Sequence, residues 1–313
     1  MRLFLLGCTG FIGSELLPKL VKLGYELTII SRKEKIKLPP NIESSKIKHI
    51  RIDPSDEKSW ENLEINEALK TSDGVINFAG EPIAEKRWTS AQMKRIKNSR
   101  LSTTKNLINA LIGCKKPPKV LINASAIGFY GTSPNEVYTE KSSPGNDFLA
   151  NLCLEWEKIA NKKPRATRLV TLRIGIVLAN NGGALGKMLP VFRSGLGGPI
   201  GDGNQWMSWI HRTDLCLIIE KALKEKKWDG AINAVAPQPS LMSNFSLELG
   251  KVLGRPSSVP VPGQILKLLL GDGAKVVLEG QNVKSVRLSK LNFKFEYPQL
   301  AQALVSITGS TKD

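Results

Sequence analysis

Few side chains in this sequence carry acid/base or nucleophilic chemistry in a recognisable arrangement. His49 and His211 stand far apart, as do Cys8, Cys114, Cys153 and Cys216, with no CxxC spacing among them. Zinc sites and disulfide frameworks depend on such spacing, so neither a metal centre nor a disulfide is expected, and reduced thiols fit a cytosol-like compartment. The remaining candidates are hydroxyls and a carboxylate at the ends of apolar runs. Ser125 closes Val120 to Ala124, Tyr130 follows it, and Glu81 follows Asn77-Phe78-Ala79-Gly80. These three are the candidate catalytic residues, with Arg87, Gln205, His211 and Asp214 as further polar groups able to shape a site. A tyrosine of pKa about 10 needs a nearby cation to work near neutral pH, and none is identifiable for Tyr130; the other reading is a buried loop tyrosine with a hydrogen-bonded hydroxyl. His211 is either an acid/base that titrates near neutrality or a residue that docks one segment on another.

A second kind of chemistry is written in backbone. The run Leu3 to Leu6 enters Gly7-Cys8-Thr9-Gly10-Phe11-Ile12-Gly13, and Ile12, Leu16, Leu17 and Leu20 then follow at helical spacing up to Gly24. A strand, a glycine turn and a helix in that order make a phosphate cradle. Gly7 permits the tight turn, Gly10 lets backbone approach a pyrophosphate, and Gly13 allows close helix packing beneath the helix N-terminus. Ser31 and Arg32 stand at the end of the next apolar run, where a protein that prefers NAD places an acidic residue. A cation and a hydroxyl there suit a 2′-phosphate, so NADP is the expected cofactor. Asp53 either accepts from the adenine amino group or closes an Asx turn with Pro54. Phe78, Ala79 and Gly80 place small groups at a strand's carboxyl end, and Arg100 either reaches the phosphates or is an exposed helix residue.

The elements that position these groups alternate. Strands are expected at Tyr25 to Ile30, Ile47 to Ile52, Gly74 to Ala79, Val120 to Ala124 and Leu169 to Ile176, and helices at Ser90 to Ile112 and Asp147 to Asn161. Alternation of apolar strands with helices predicts a Rossmann-like α/β fold, a doubly wound parallel sheet with a smaller C-terminal substrate lobe. The division expected is a nucleotide-binding domain over 1–180, its sheet completed near 207–236, and a substrate lobe over 181–313 with a mostly helical tail. Pro18 lies inside the first helix, where it should kink or shorten it. From Gly182 glycine and proline become dense, and Gly195 to Gly203 reads either as a loop approaching a ligand or as a flexible surface loop.

Composition narrows the partners. The chain has 313 residues and a formal charge of +17, but the basic residues are scattered, which predicts a solvated basic surface and no dedicated nucleic-acid arm. No stretch approaches the roughly 20 apolar residues that span a bilayer, so no membrane partner is expected. Arg2 alone precedes an apolar segment broken at Gly7, too short for a secretory signal. The expected setting is cytoplasmic, or an organellar stroma or matrix where a transit peptide has been removed.

Taken together, Gly7-x-x-Gly10-x-x-Gly13, Asn77 to Glu81, Ser125-Ala126-Ile127-Gly128-Phe129-Tyr130-Gly131 and Trp209-Ile210-His211-Arg212-Thr213-Asp214 resemble the extended short-chain dehydrogenase/reductases. Gly80-Glu81-Pro82-Ile83, Asn98-Ser99-Arg100, Trp156-Glu157, Gln205-Trp206, Leu253-Gly254-Arg255-Pro256 and the tail from Leu278 to Pro298 resemble, more narrowly, its atypical branch of epimerase family proteins. The resemblance spans essentially the whole chain. It implies NADP held by Thr9, Gly10, Phe11, Ile12, Ser31, Arg32, Phe78, Ala79, Arg100 and the backbone near Val177. It also implies a serine, Ser125, that orients substrate. Typical members add a tyrosine as acid/base and a lysine four residues on; here Phe148 and Leu152 occupy approximately those positions, and neither transfers a proton. The activity implied is that of an NADP-dependent oxidoreductase or epimerase-like enzyme on a polar small molecule. Its alternatives are a non-catalytic NADP-binding regulator and an RNA-associated protein on the same fold.

Overall fold

The computed structural model of the protein describes residues 1–38 and 42–309. Seven parallel strands form the central sheet: β1 (Arg2–Leu6), β2 (Glu26–Ser31), β3 (Ile47–Arg51), β4 (Gly74–Asn77), β5 (Val120–Ala126), β6 (Arg168–Ile174) and β7 (Gly230–Ala234). Their order across the sheet is β7-β6-β5-β4-β1-β2-β3, so the direction of winding reverses between β1 and β4. That reversal opens a crevice at the carboxyl ends of the strands, where ligands of such sheets lie. Helices Gly13–Lys22, Ser90–Ile112, Phe148–Ala160 and Arg212–Lys224 cover the two faces. The strands are apolar throughout because both faces are buried, as β1 illustrates with Leu3, Phe4, Leu5 and Leu6 all at most 1% exposed.

Local signals set the helix limits. Thr89 accepts from the Gln92 amide and Asp147 from the Ala150 amide, capping the helices Ser90–Ile112 and Phe148–Ala160 at their first turns. The first helix continues through Pro18 to Lys22, because Leu20 and Val21 beyond the proline are buried against the sheet. The glycine-rich stretch contains a helix, Gly183–Arg193, that its composition hid; Leu185, Leu189 and Phe192 anchor it.

A second core gathers around Trp209, the helix Gly183–Arg193, the helix Met242–Leu253 and the helix Leu300–Thr308. The tail does not form a lobe of its own. Residues 263–283 lie over the carboxyl ends of the strands, where Asn282–Val283 pairs with Val137–Tyr138. Leu288, Leu291, Phe293 and Phe295 then return to the first core, and Leu300, Ala303, Leu304 and Ile307 enter the second. Among the described residues no helix is long and apolar enough to cross a membrane, and no group of three or more His, Cys, Asp or Glu side chains could hold a metal ion.

Candidate functional site

The three glycines of the first turn divide their work as the sequence predicts. Gly7 has φ +72°, and a Cβ there would stand 2.3 Å from the Phe78 carbonyl carbon, so only glycine lets the exits of β1 and β4 touch. A Cβ on Gly13 would stand 1.7 Å from the Cys8 carbonyl oxygen. Gly10 differs: a Cβ there would meet nothing within 4 Å. Its bare backbone therefore faces open space at the start of the helix Gly13–Lys22, a geometry that admits a phosphate. Thr9, Phe11 and Ile12 complete the turn, and Phe11 and Ile12 line a large cavity.

Arg212 holds this turn in place, a role that spacing did not reveal. Its guanidinium lies 5.0 Å from the Phe11 ring centroid, Nη1 donates to the Phe11 carbonyl at 3.2 Å, and Nε donates to Glu15 Oε2 at 2.7 Å. On its other side Phe11 packs so closely on Gly182 and Gly183 that a Cβ on either would come within 2.9 Å of its ring.

At the end of β2, Ser31 is buried, with its hydroxyl 3.1 Å from His49 Nε2 and accepting from the Lys33 amide. Arg32 is 64% exposed and so is available to a ligand at the rim. Its nearest anion is Glu81, whose Oε2 lies 3.9 Å from Arg32 Nη2, while Lys86 Nζ lies 3.7 Å from Glu81 Oε1. The Glu81 amide donates to Ser99 Oγ, and its carbonyl accepts from Arg100, so the helix Ser90–Ile112 fixes the backbone here. Of the three candidate catalytic residues, Glu81 is the one that stands outside the cavity lining, beside Arg32 and Lys86. Asp53 is exposed, and its Oδ1 accepts from the Ser55 amide and hydroxyl, the Asx turn that was one of its two readings.

Phe78, Ala79 and Gly80 line the cavity floor. Gly80 packs on the Arg100 guanidinium, 2.9 Å from where a Cβ would be. Arg100 also donates to the carbonyls of Glu81 and Ile96 and lies over Trp156. It is thus a brace under the loop, still bordering the cavity, and burial lowers its pKa. Val177, in the strand Ile176–Leu178 that pairs with Trp209–His211, borders the same space.

The most ionic part of the interior lies at the ends of β5 and β6. Parallel register sets Ser125 opposite Arg173, which puts both side chains on one face of the sheet beneath the helix Phe148–Ala160. From that helix Glu157 Oε1 accepts from the Ser125 hydroxyl at 2.7 Å and from Arg173 Nε at 2.9 Å, and Glu157 Oε2 accepts from Arg173 Nη2 at 2.9 Å. Arg173 Nη1 then donates to the Tyr130 hydroxyl at 3.0 Å, which itself donates to Asn233 Oδ1 at 2.6 Å. Tyr130 therefore has the cation that the sequence did not identify. Burial still raises its pKa above the usual value, against the opposing pull of Arg173, and its hydroxyl both donates and accepts within the network. Tyr130 is thus a member of a buried network that, like Ser125, borders the cavity. A charged residue near the buried carboxyl end of β6 was the available signal for Arg173.

The helix Phe148–Ala160 presents Phe148, Leu152, Cys153 and Trp156 to the cavity. Phe148 packs edge-on against Trp88 at 5.2 Å. Burial pushes the Cys153 thiol up to about 11, so it stays protonated and is not a nucleophile. His211 is held as a docking residue: its Nδ1 accepts from the Thr213 amide, its ring lies 4.0 Å from that of Tyr297, and burial pulls its pKa down to about 4. Asp214 accepts the amides of Glu296 and Tyr297, Gln205 donates to the carbonyls of Ile200 and Val277, and Arg87 donates to the carbonyl of Leu268. Each of these three ties a later segment to the body of the fold.

The resulting cavity has a volume of about 1430 Å³ and runs without interruption from Phe11 and Ile12, past Ser125, to the roof formed by residues 263–283. Phe11, Ile12, Phe78, Ala79 and Gly80 border it at the glycine turn, and apolar side chains interspersed with neutral polar ones border the rest. This is room for a dinucleotide and a second small molecule together.

Comparisons with known proteins match this geometry. Residues 3–234 match the NAD dependent epimerase/dehydratase family, and residues 261–307 match a domain of unknown function, DUF1731. The epimerase family protein SDR39U1 homolog, chloroplastic, of Arabidopsis thaliana is 40% identical over 98% of this chain and 86% of that protein. The crystal structure of human epimerase family protein SDR39U1 (isoform 2) with NADPH superposes with a TM-score of 0.88 at 34% identity, covering 99% of this chain and all of that one. The nucleoside-diphosphate sugar epimerase of Corynebacterium glutamicum gives a TM-score of 0.75 at 28% identity over 99% of this chain and 58% of that one.

Proposed function

The chain belongs to the NAD dependent epimerase/dehydratase family, and on that premise we propose that it binds NADP on the Gly7–Gly13 turn and acts as an oxidoreductase on a small molecule beneath the roof. The observation that carries this reading is the continuity of one cavity from the glycine turn to the Ser125 hydroxyl. NADPH in the related human structure supports the choice of cofactor, as does Arg32 at the end of β2.

When bound, the cofactor supplies or accepts a hydride at its nicotinamide ring. Ser125 holds the substrate oxygen by turning its O–H from Glu157 towards the cavity. Arg173 holds Glu157 fixed through two hydrogen bonds while this happens, so Ser125 returns to a single position. Phe148 and Leu152 exclude water on their side and transfer no proton. The proton that balances hydride addition to a carbonyl is therefore drawn from solvent at the rim.

Those same two apolar residues favour a second reading, an NADP-binding protein without turnover. The two separate in one experiment on the purified protein. Calorimetry measures NADPH affinity, and nicotinamide absorbance is then followed with a panel of carbonyl compounds. Binding with turnover that falls at least tenfold in Ser125→Ala supports the oxidoreductase. Binding with no turnover of any compound supports the second reading, and absence of NADPH binding overturns both.

A further inference from the structure

We infer that the substrate half of the cavity takes an uncharged, mainly apolar molecule and excludes nucleotide-diphosphate sugars, in place of the polar substrate that the sequence suggested. The inference rests on the reading that the other half holds NADP.

Two observations converge on it. The walls beyond Ser125 include Trp88, Phe148, Leu152, Met188, Met242 and Val277, and the polar side chains among them, such as Thr132, Ser142, Ser143 and Gln281, are neutral. Placing a diphosphate among them would bury charge without a partner, a large cost. The exposed lining residues are also of the wrong sign. In a chain of net charge +17, the rim carries the carboxylates of Glu136, Asp147, Asp272 and Glu279 against the single amine of Lys275 among the described residues. The guanidinium of Arg100 does not redress this, because it is committed to the carbonyls of Glu81 and Ile96. A basic protein that surrounds one opening with carboxylates discourages anions there, since like charges oppose entry.

The chemistry recognised is thus a neutral, mainly apolar body carrying a carbonyl for Ser125.

The test is calorimetric titration of the full-length protein loaded with NADP+, so that no turnover occurs. The probes are 4-hydroxybenzophenone, a neutral aromatic ketone with one donor, and UDP-glucose. The ketone should bind saturably and at least tenfold more tightly than UDP-glucose. In Val277→Lys the ketone should lose at least tenfold in affinity and UDP-glucose should gain, with NADP+ affinity unchanged as the check on folding. UDP-glucose binding as tightly as the ketone, or no ketone binding to NADP+-loaded protein, overturns this inference alone. Failure to load NADP+ overturns the reading beneath it.

Discussion

Glu157 and Arg173 meet through two parallel hydrogen bonds of 2.9 Å, with side chains only 10% and 7% exposed. A buried pair of this geometry is conditionally stable: each charge is tolerable because the other is present. Replacing Glu157 by leucine should destabilise the fold by about 3–5 kcal/mol, since it strands the Arg173 charge and frees the Ser125 hydroxyl. Denaturant unfolding measures this, and a loss under about 1 kcal/mol would mean that solvent reaches Arg173.

The glycine turn gives a paired prediction. Gly10→Ala should leave the melting temperature within a degree or so, because its Cβ meets nothing within 4 Å, yet weaken NADP binding at least tenfold. Gly13→Ala should do the reverse and destabilise the whole protein, because its Cβ would collide with the Cys8 carbonyl. Equal effects of the two on stability would contradict the division of labour within the turn.

Cofactor preference should turn on Arg32 and its neighbour. Arg32→Asp should weaken NADP binding by roughly 1–3 kcal/mol, the scale of a charge-assisted hydrogen bond, and leave NAD binding much less affected. Glu81→Gln should tighten NADP, because it removes the anion 3.9 Å from Arg32. Unchanged NADP affinity in both variants would move the 2′-phosphate elsewhere.

His211 predicts an acid-side loss of stability. Burial holds its folded pKa near 4, below the ordinary value of 6.5, so the unfolded chain takes up the proton first as pH falls. Its contribution is complete above pH 6.5 and is lost progressively between 6.5 and about 4, a change of roughly 3 kcal/mol at most. His211→Asn should flatten that part of the stability-against-pH curve. Parallel curves for the two proteins would show that the folded ring is protonated in the same range as the unfolded one.

What the sequence disclosed and what it concealed differ in range. The strand, turn and helix around Gly7, Gly10 and Gly13 were legible because each depends on residues within one turn of itself. The helix Ser90–Ile112 was equally legible, bounded by the Thr89 cap and Gly113. The partner of Tyr130 was not, because Arg173 reaches it only after β5 and β6 have paired in register. The surroundings of Glu81 were hidden for a related reason. Its place at the end of β4 suggested the crevice, but Ser99 and Arg100, on a helix that follows, fix its backbone, and the carboxylate stands beside Arg32. The apolar character of the substrate chamber was hidden because its walls come from segments as distant as Trp88, Phe148 and Val277.

The path of the tail sets how anything enters or leaves. Residues 263–283 are stitched to the body by Arg87, Gln205 and the pairing of Asn282–Val283 with Val137–Tyr138, and the chain that follows is buried first in one core and then in the other. A flap pinned along both hems keeps the roof aligned over the floor, so the doorway to the chamber is the gap beside it that Glu136, Asp147, Asp272 and Glu279 border.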